Sequence, residues 1–590
     1  MSIVSLDKVT FIGMAEDRSL LLEDLQNLGC LHIQALAAKG DGTDGLAPVP
    51  AGAREALQFL HDCPQRRRQV SDSSRFDALE TERKVLEVRQ RLQALTDERD
   101  FLFKRIQDMR PWGDFEFSPL ADMGDLRLWF YVVPHREMTL VRQLPLTYQI
   151  VKKDHRHNYL VVVSAGEPAG MPVGRVRIGS QSRRHLEARL EDVELAIEDA
   201  QAERAYLTRW YGLLRDNIAA SEDKVALAAA ERLSLKRSGL FALQGWAPTA
   251  RIAELGDYAR RRGIHIDVQA AQPDELPPTC LDNPSWLAAG EDLVNFYMTP
   301  GYRTWDPSPV VFISFAWFFA MILADAGYAL ILGAVLWFYW KRMGESAKGR
   351  RFRALCAAIV LCSLLYGMLI GSYFGVLPRE GSVLDWFFVF DMNDSNRMMK
   401  ISVCIGCLHI LLATVMDALR YKGSLQALAP TGWALVVSAG LLFLLITSFG
   451  FEGLTMLPAG LAALGGVLVL LFSSPYEKPL PRLLHGLHGL TKFTAAFGDI
   501  FSYLRLFALG LASGALAIEF NHMAADIYQA MPGVGLVFAF LVLLLGHTIN
   551  FLLGLMSGVI QGLRLNVIEF FNWGLKEEGT PFKPFRRTER

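Results

Sequence analysis

The sequence predicts an α-helical polytopic membrane domain of about eight transmembrane helices, the last two long and tilted, joined to an α+β cytoplasmic domain with a long antiparallel coiled coil. Three observations carry that reading. Residues 1–300 hold 38 Lys and Arg with 44 Asp and Glu, whereas residues 301–590 hold 22 and 17. Apolar stretches fill the second half, at roughly 309–340, 354–377, 401–419, 431–450, 454–473, 495–520 and 533–571, with the few ionisable groups that lipid burial requires. Two runs in the first half repeat apolar residues at alternating steps of three and four, the pattern of paired helices. With a net charge of −1 over 590 residues, the composition excludes a wholly soluble enzyme, a disordered chain and a strongly basic nucleic-acid binder.

Residues 2–36 read as strand, helix, strand: Val9-Thr10-Phe11-Ile12, an apolar-periodic run through Leu20, Leu21, Leu25 and Leu28, then Cys30-Leu31-His32-Ile33. The start lacks a basic segment followed by an apolar one, so no cleaved signal peptide is expected. Gly40 to Gly45 matches a GxGxxG in form, but Asp41 and Asp44 repel phosphate and Pro48 and Pro50 precede any helix, so a loop is expected there. The first periodic run has Val85, Val88, Leu92, Leu95, Leu102, Ile106 and Met109, with Arg99 in the missing place. The second has Leu186, Leu190, Val193, Ile197, Ala200, Arg204, Leu207, Tyr211, Leu214 and Ile218. A helix of 30 residues spans about 45 Å, so the pair suits a strut. Between the runs, Leu126–Val133 and Tyr159–Val163 read as strands of a distal lobe, to which Leu240–Trp246 and a helix near Ile252–Arg262 are expected to add.

The expected organisation is 1–75, a proximal cytoplasmic α/β unit and the start of the coiled coil; 76–111, a coiled-coil helix; 112–180, the first part of a distal α/β lobe; and 181–236, the returning helix. Then come 237–300, lobe completion and a linker to the membrane; 301–575, the membrane domain; and 576–590, a cytoplasmic tail. Basic loops at Lys341 to Arg353, Arg420 with Lys422, Lys478 to Lys492 and the tail mark the cytoplasmic side. For the soluble half and the loop after residue 340 to share that side, 309–340 must cross twice, as a hairpin broken at Asp325-Ala326-Gly327. Both termini are then cytoplasmic, in a multi-pass protein of the cell (inner) membrane.

The informative residues are charges inside the last two apolar stretches. Arg505 lies within Phe501–Ala512, and Arg at the centre of a membrane helix costs about 2.5–3.5 kcal/mol on insertion scales, so it must meet water or a carboxylate. In the last stretch His547, Asn550, Gly554, Ser557, Gln561 and Arg564 fall on one helical face. Two long helices, each with a buried Arg, read as walls of a water-accessible path. Asp499, Ser502, Ser513, Glu519, His547, Asn550, Ser557, Gln561 and Glu569 are the polar residues available to line it, although Glu519 and Glu569 sit nearer helix ends, where an interfacial role is equally open. Other signals carry less. Cys404 and Cys407 form a lone CxxC in an apolar stretch, His485 and His488 fit a solvated amphipathic face, and Gly344 to Gly349 is followed by Arg350-Arg351 where a phosphate loop has Lys-Ser/Thr. With seven Cys and no framework, a reducing compartment is expected for the soluble part.

The stretch Ser502-Tyr503-Leu504-Arg505-Leu506-Phe507-Ala508-Leu509-Gly510-Leu511-Ala512 resembles the arginine helix of the membrane stator subunit of V/A-type rotary ATPases, subunit a or subunit I. Gly562 to Phe571 resembles that family's final helix, and Pro581 to Phe585 its closing segment. Tyr302 to Pro309 with Ala324 to Tyr328, Tyr366 to Gly375, and Leu408-His409-Ile410 resemble three further signatures in order. Ser513 and Gln561 stand where the family often has His, and Gly554 where some members have Glu.

The resemblance implies a non-catalytic subunit, with ATP chemistry on other subunits and neither cofactor nor metal. Its implied partners are a ring of rotor proteolipid hairpins, peripheral-stalk subunits, a central-stalk cap subunit, indirectly the soluble ATPase head, and membrane lipid, with no nucleic acid. It also implies that Arg505 and Arg564 serve proton or sodium translocation. A guanidinium stays charged and favours the ionised form of a carboxylate within about 4–6 Å, so Arg505 would drive a rotor carboxylate to release its ion and would block a direct leak between two offset half-channels. Small residues Gly498, Ser502, Ala508 and Ala512 on the same face would let the ring approach. A secondary transporter with a regulatory coiled coil and a passive membrane anchor for a cytosolic scaffold are the alternatives.

Overall fold

The computed structural model describes residues 2–36, 51–114, 124–178, 181–392, 394–454, 456–473, 486–489, 491–531, 533–575 and 577–588. The glycine motif at 40–45 and His485 lie outside them. The chain divides into two compact units, one of Ala15–Gly29, Ala35–Gly239 and Phe585–Arg590, the other of Met1–Met14, Cys30–Gln34 and Leu240–Pro584.

The first unit holds helices α1 (Arg18–Leu28), α2 (Ala51–His61), α3 (Ala78–Met109), α4 (Arg183–Leu207) and α5 (Tyr211–Leu233). Asp77 caps α3 by accepting the Glu80 N–H at 3.1 Å, and Ser182 caps α4. Of the periodic positions, Val85, Val88, Leu102, Met109, Leu186, Val193, Ile197, Ala200, Leu207, Leu214 and Ile218 are buried, and Leu92, Leu95, Ile106 and Leu190 half-buried. Val85 and Val88 share a core with Leu207, Leu214 and Ile218, while Leu102 and Met109 share one with Leu186, Val193 and Ile197, so α3 and α4 run antiparallel. Arg189 pairs with Glu98 at 2.7 Å and Arg91 with Glu203 in the same sense. Arg204, polar at an apolar place, donates to the Phe59 carbonyl of α2 at 2.6 Å and lies 4.1 Å from the Phe59 ring centroid.

The second run is not one helix as read. A tight turn at Thr208–Trp210 separates α4 from α5, where the Gln69 side chain donates to the Thr208 carbonyl at 2.9 Å and Thr208 Oγ1 accepts the Arg67 N–H. Because Leu95 and Val193 sit inside their helices, Pro at either is expected to cost about 3 kcal/mol or more, read as a lowered unfolding midpoint of this unit.

Strands Arg127–Pro134, His157–Ser164 and Thr147–Lys153 form a three-stranded antiparallel sheet in that order. Leu240–Pro248, expected to complete this lobe, instead belongs to the second unit. There it pairs along its whole length with Leu6–Met14, which pairs on its other edge with His265–Ala270. Long-range pairing chose between two lobes that the strand's own alternation does not distinguish.

The second unit continues with helices α6 (Ile252–Arg262), α7 (Ala288–Tyr297), α8 (Ser308–Leu323), α9 (Ala326–Met343), α10 (Ala347–Leu369), α11 (Ser395–Arg420), α12 (Leu428–Phe449), α13 (Met456–Phe472), α14 (Lys492–Phe501), α15 (Leu504–Ala530) and α16 (Gly535–Arg564). A π-helical turn at Leu565–Phe570 and a last helix α17 (Phe571–Gly574) follow. Among the described residues, five segments are long and apolar enough to cross a membrane: Ala347–Leu369, Ser395–Arg420, Leu425–Phe449, Gly486–Ala530 and Gly535–Gly574. Helices α8 and α13 are apolar but shorter.

The 309–340 stretch breaks where the sequence places the break. Ala324 has φ +50°, and Asp325 caps α9 by accepting the Tyr328 N–H at 2.9 Å. At one end Gly290 abuts the Ser308 carbonyl, and Arg351 reaches Glu291 at 3.1 Å. At the other Gly367 lies so close to Ala326 that a Cβ would sit 2.3 Å from its nitrogen. Helices α8 and α9 therefore run in opposite directions, with α10 packed against both. A row four residues apart on α16, Gly554, Gly558 and Gly562, meets Leu323, Phe319 and Phe315 of α8. Bare glycine at each place lets the two backbones close up, the usual device where lipid gives no hydrophobic drive for helix association.

Candidate functional site

The apolar run 495–520 is continuous in sequence but not in backbone. Helix α14 stops at Phe501, and Ser502 and Tyr503 form a tight turn in which Tyr503 N–H donates to Ile500 and Arg505 N–H to Ser502. Tyr503 is fully buried, its hydroxyl 2.7 Å from His409 Nδ1 of α11, and His409 stacks on Phe570 at 4.2 Å. Arg505 thus stands in the first turn of α15, not deep within a helix as its distance from the ends of the apolar run suggests. A cation at a helix N-terminus meets the positive end of the dipole, so an anion is needed.

The anion is Glu569. The π turn widens the helix so that residues five apart face each other. Arg564 Nε lies 3.7 Å from Glu569 Oε1, and Arg505 Nη1 approaches the same oxygen at 4.0 Å. The carboxylate is 2% exposed, the Arg505 side chain 27% and the Arg564 side chain 48%. Among the described residues, Arg505 Nη1, Gln561 Oε1 and Glu569 Oε2 are buried without a hydrogen-bond partner. Arg505, Gln561 and Glu569 therefore hold unused hydrogen-bonding capacity. Gly498, Ala508 and Ala512 are exposed and Ser502 half-buried. The Ser502 hydroxyl bonds back to the Gly498 carbonyl at 3.1 Å. Nearby, Asp499 accepts the Trp573 indole N–H at 2.7 Å.

A second polar cluster lies where α8 ends. Tyr328 OH is 2.8 Å from His547 Nδ1 and accepts from Asn550 Nδ2 at 3.1 Å; Asn550 also donates to the Ser513 carbonyl at 2.8 Å. His547 Nε2 reaches Asn521 Oδ1 at 3.1 Å. Asp325 anchors the region by accepting from Ser372 Oγ at 2.7 Å and the Gly375 N–H at 3.1 Å. Residues 550 and 564 are separated by about 21 Å of helix rise, and Ser557 and Gln561 lie half-buried between them. Trp305, before α8, donates to the Gly574 carbonyl at 3.0 Å, so the Glu569 end is the end where α8 begins.

Two cavities adjoin these clusters. One of about 220 Å³ is lined by Glu519, Asp391, Ser372 and Gly375. Another of about 480 Å³ touches Asp417, His488, Lys492, Asn572 and Trp573. His488 is exposed, as its reading on a solvated face expects, and stands at the wall of this second cavity.

Sequence reasoning named the two arginines and Glu569 but not their convergence. It missed Tyr328, Asn521 and Tyr503 as site residues and used Asp325 and His409 only as landmarks. Asp325, polar in the middle of the 309–340 run, and Asn521, polar just past the 495–520 run, were the available signals.

No family model matches the chain. Curated relatives do match along most of it. "V-type ATP synthase subunit I" of Chlamydia pneumoniae is 26% identical, covering 90% of this chain and 88% of its own. The protein of the same name from Borreliella burgdorferi is 23% identical over 100% of both. Over most of its length the chain is similar to proteins named V/A-type ATP synthase subunit I. "A-type ATP synthase subunit I" of Methanocaldococcus jannaschii, 27% identical, covers 53% of this chain and 50% of its own length. A solved structure, the cytoplasmic N-terminal domain of subunit I, homolog of subunit a, of V-ATPase, aligns with 44% of this chain and 99% of its own at 19% identity. The TM-score of that alignment is 0.23.

Proposed function

We propose that this chain is the ion-translocating stator of a V/A-type rotary ATPase, with Arg505 as the fixed cation that a rotor carboxylate meets. The observation that supports the reading is the state of Arg505: a buried guanidinium nitrogen without a hydrogen bond, held near but not bonded to Glu569, beside exposed small residues. A carboxylate brought to that strip by a close-packed ring would meet the exposed part of the Arg505 side chain. The Tyr328–His547–Asn550 cluster with the Glu519 cavity serves as one half-channel, and the Asp417–His488 cavity beside Asp499 as the other. Arg564 tunes the site through Glu569. Helices α3 and α4 form the coiled-coil strut to the peripheral stalks, and the ATP chemistry belongs to the soluble head.

Co-purification tests the assembly. Full-length protein extracted from membranes is expected to bring down a small hairpin rotor subunit and a soluble ATPase head; purification as a lone transporter, to which the broken α8–α9 pair also lends itself, overturns the stator reading. Eight crossings with both termini cytoplasmic are part of the proposal. In a cysteine-free background, Ser346→Cys is expected to label from the cytoplasmic side and Ser395→Cys from the opposite one. Labelling of both from the same side overturns the topology.

A further inference from the structure

Outside the charged site, the junction of α9 and α10 carries an unusual surface. A cavity of about 590 Å³ is lined by Asn283, Ser285, Trp286, Trp340 and the arginines Arg350, Arg351 and Arg353. The three arginines are not equivalent. Arg351 is neutralised by Glu291 at 3.1 Å and Asp292 at 3.2 Å. Arg350 Nη1 donates to the Gly344 carbonyl at 3.2 Å and Arg353 Nη1 to the Trp340 carbonyl at 3.1 Å. Among the described residues neither has a carboxylate partner. Each guanidinium has five N–H donors, so most of this capacity is free to bind an anion. Arg353 also lies over the Trp340 ring, 4.4 Å from its centroid, which fixes the guanidinium at the cavity wall.

The surroundings identify the anion's source. Trp337 and Phe338, the turn of α9 before the cavity, are 81% and 77% exposed, and Trp286 at its rim is also exposed. Lys341, Arg342 and Lys348 add positive charge to the same segment, against Glu345 alone. Exposed aromatics beside a basic cavity at the polar end of apolar helices form the pattern of a membrane interface, where Trp seats at the headgroup level and Arg meets lipid phosphate. A soluble anion would need the arginines but not the apolar ring around them.

We propose that this cavity binds the headgroup of an anionic glycerophospholipid, its phosphate on Arg350 and Arg353 and its acyl chains along the Trp337–Phe338 side of α9. The proposal rests on α9 and α10 lying in a membrane, but not on Arg505 or on rotation, so it survives if the stator reading fails.

The test uses the full chain in detergent, titrated with phosphatidylglycerol, phosphatidylcholine or inorganic phosphate and followed by thermal unfolding and by mass spectrometry of retained lipid. Phosphatidylglycerol is expected to raise the unfolding midpoint and to be retained, and the other two to do neither. At about 1 kcal/mol per basic residue near the headgroups, Arg350→Gln with Arg353→Gln weakens binding about thirtyfold, and Arg350→Gln alone about fivefold. The corresponding lysine pair is expected to keep most of it. Equal binding of phosphatidylglycerol by the glutamine variants, equal binding of phosphatidylcholine through the tryptophans, or an equal effect of inorganic phosphate overturns the proposal.

Discussion

Arg505→Ala is expected to abolish ATP-driven ion uptake into vesicles while leaving the amount of assembled complex nearly unchanged. Both halves of that expectation come from the geometry. Arg505 makes no hydrogen bond through its buried Nη1 and approaches Glu569 only at 4.0 Å, with 27% of its side chain exposed. Its removal therefore changes stability by about 1 kcal/mol or less, and Arg564 stays within 3.7 Å of the carboxylate. What disappears is the fixed charge available to a partner. Arg505→Lys is also expected to be severely impaired, because an ammonium lacks the planar fork of donors and loses its proton more readily when desolvated. Arg564→Ala should cost less uptake than either, since Arg564 is 48% exposed and lies 3.7 Å from Glu569. Near-normal uptake by Arg505→Ala, measured at matched levels of assembled complex, leaves the two arginines as parts of a polar seam between helices.

The sequence makes the members of this site legible but not its assembly. Arg505 and Arg564 stand out because a charge in an apolar run is costly wherever the run goes. The interruption that puts Arg505 at a helix start has no local marker. No proline lies between Phe497 and Leu511, and the turn is set by Tyr503 burying itself against His409, 94 residues away in the chain. The π turn is equally silent, because Leu565–Phe570 has the apolar content of an ordinary helix end, and that made Glu569 look interfacial. Periodicity worked for α3 and α4, where one apolar stripe meets another: of the positions their spacing selects, Val85, Val88, Leu102 and Met109 are buried in α3 and Leu186, Val193, Ile197, Ala200 and Leu207 in α4. It failed where a strand had to choose among possible partners, as with Leu240–Pro248, and where an edge strand carries polar residues on both faces, as with Thr147–Lys153. The break at Asp325 was legible because an acid inside a stretch too long for one crossing had a single economical explanation.

Glu569→Gln separates a carboxylate that merely balances charge from one that governs release. Losing it leaves two guanidinium groups close together around a buried amide. Breaking a fully buried pair costs about 3–5 kcal/mol, but the arginines here are partly exposed, so a loss of about 1–2 kcal/mol is the reasonable scale. Assembled complex should fall modestly. Ion uptake per complex should fall much further, because Glu569 competes with any incoming carboxylate for Arg505, and without that competitor the incoming group is held longer at the guanidinium. Adding Arg564→Gln to Glu569→Gln removes the excess positive charge, and partial recovery of uptake is expected from the pair relative to Glu569→Gln alone. The measurement is ATP-driven uptake in membrane vesicles, normalised to the quantity of assembled complex, for both single variants and the double variant. Uptake by Glu569→Gln that falls only in step with assembly assigns the carboxylate a packing role and removes it from the translocation step.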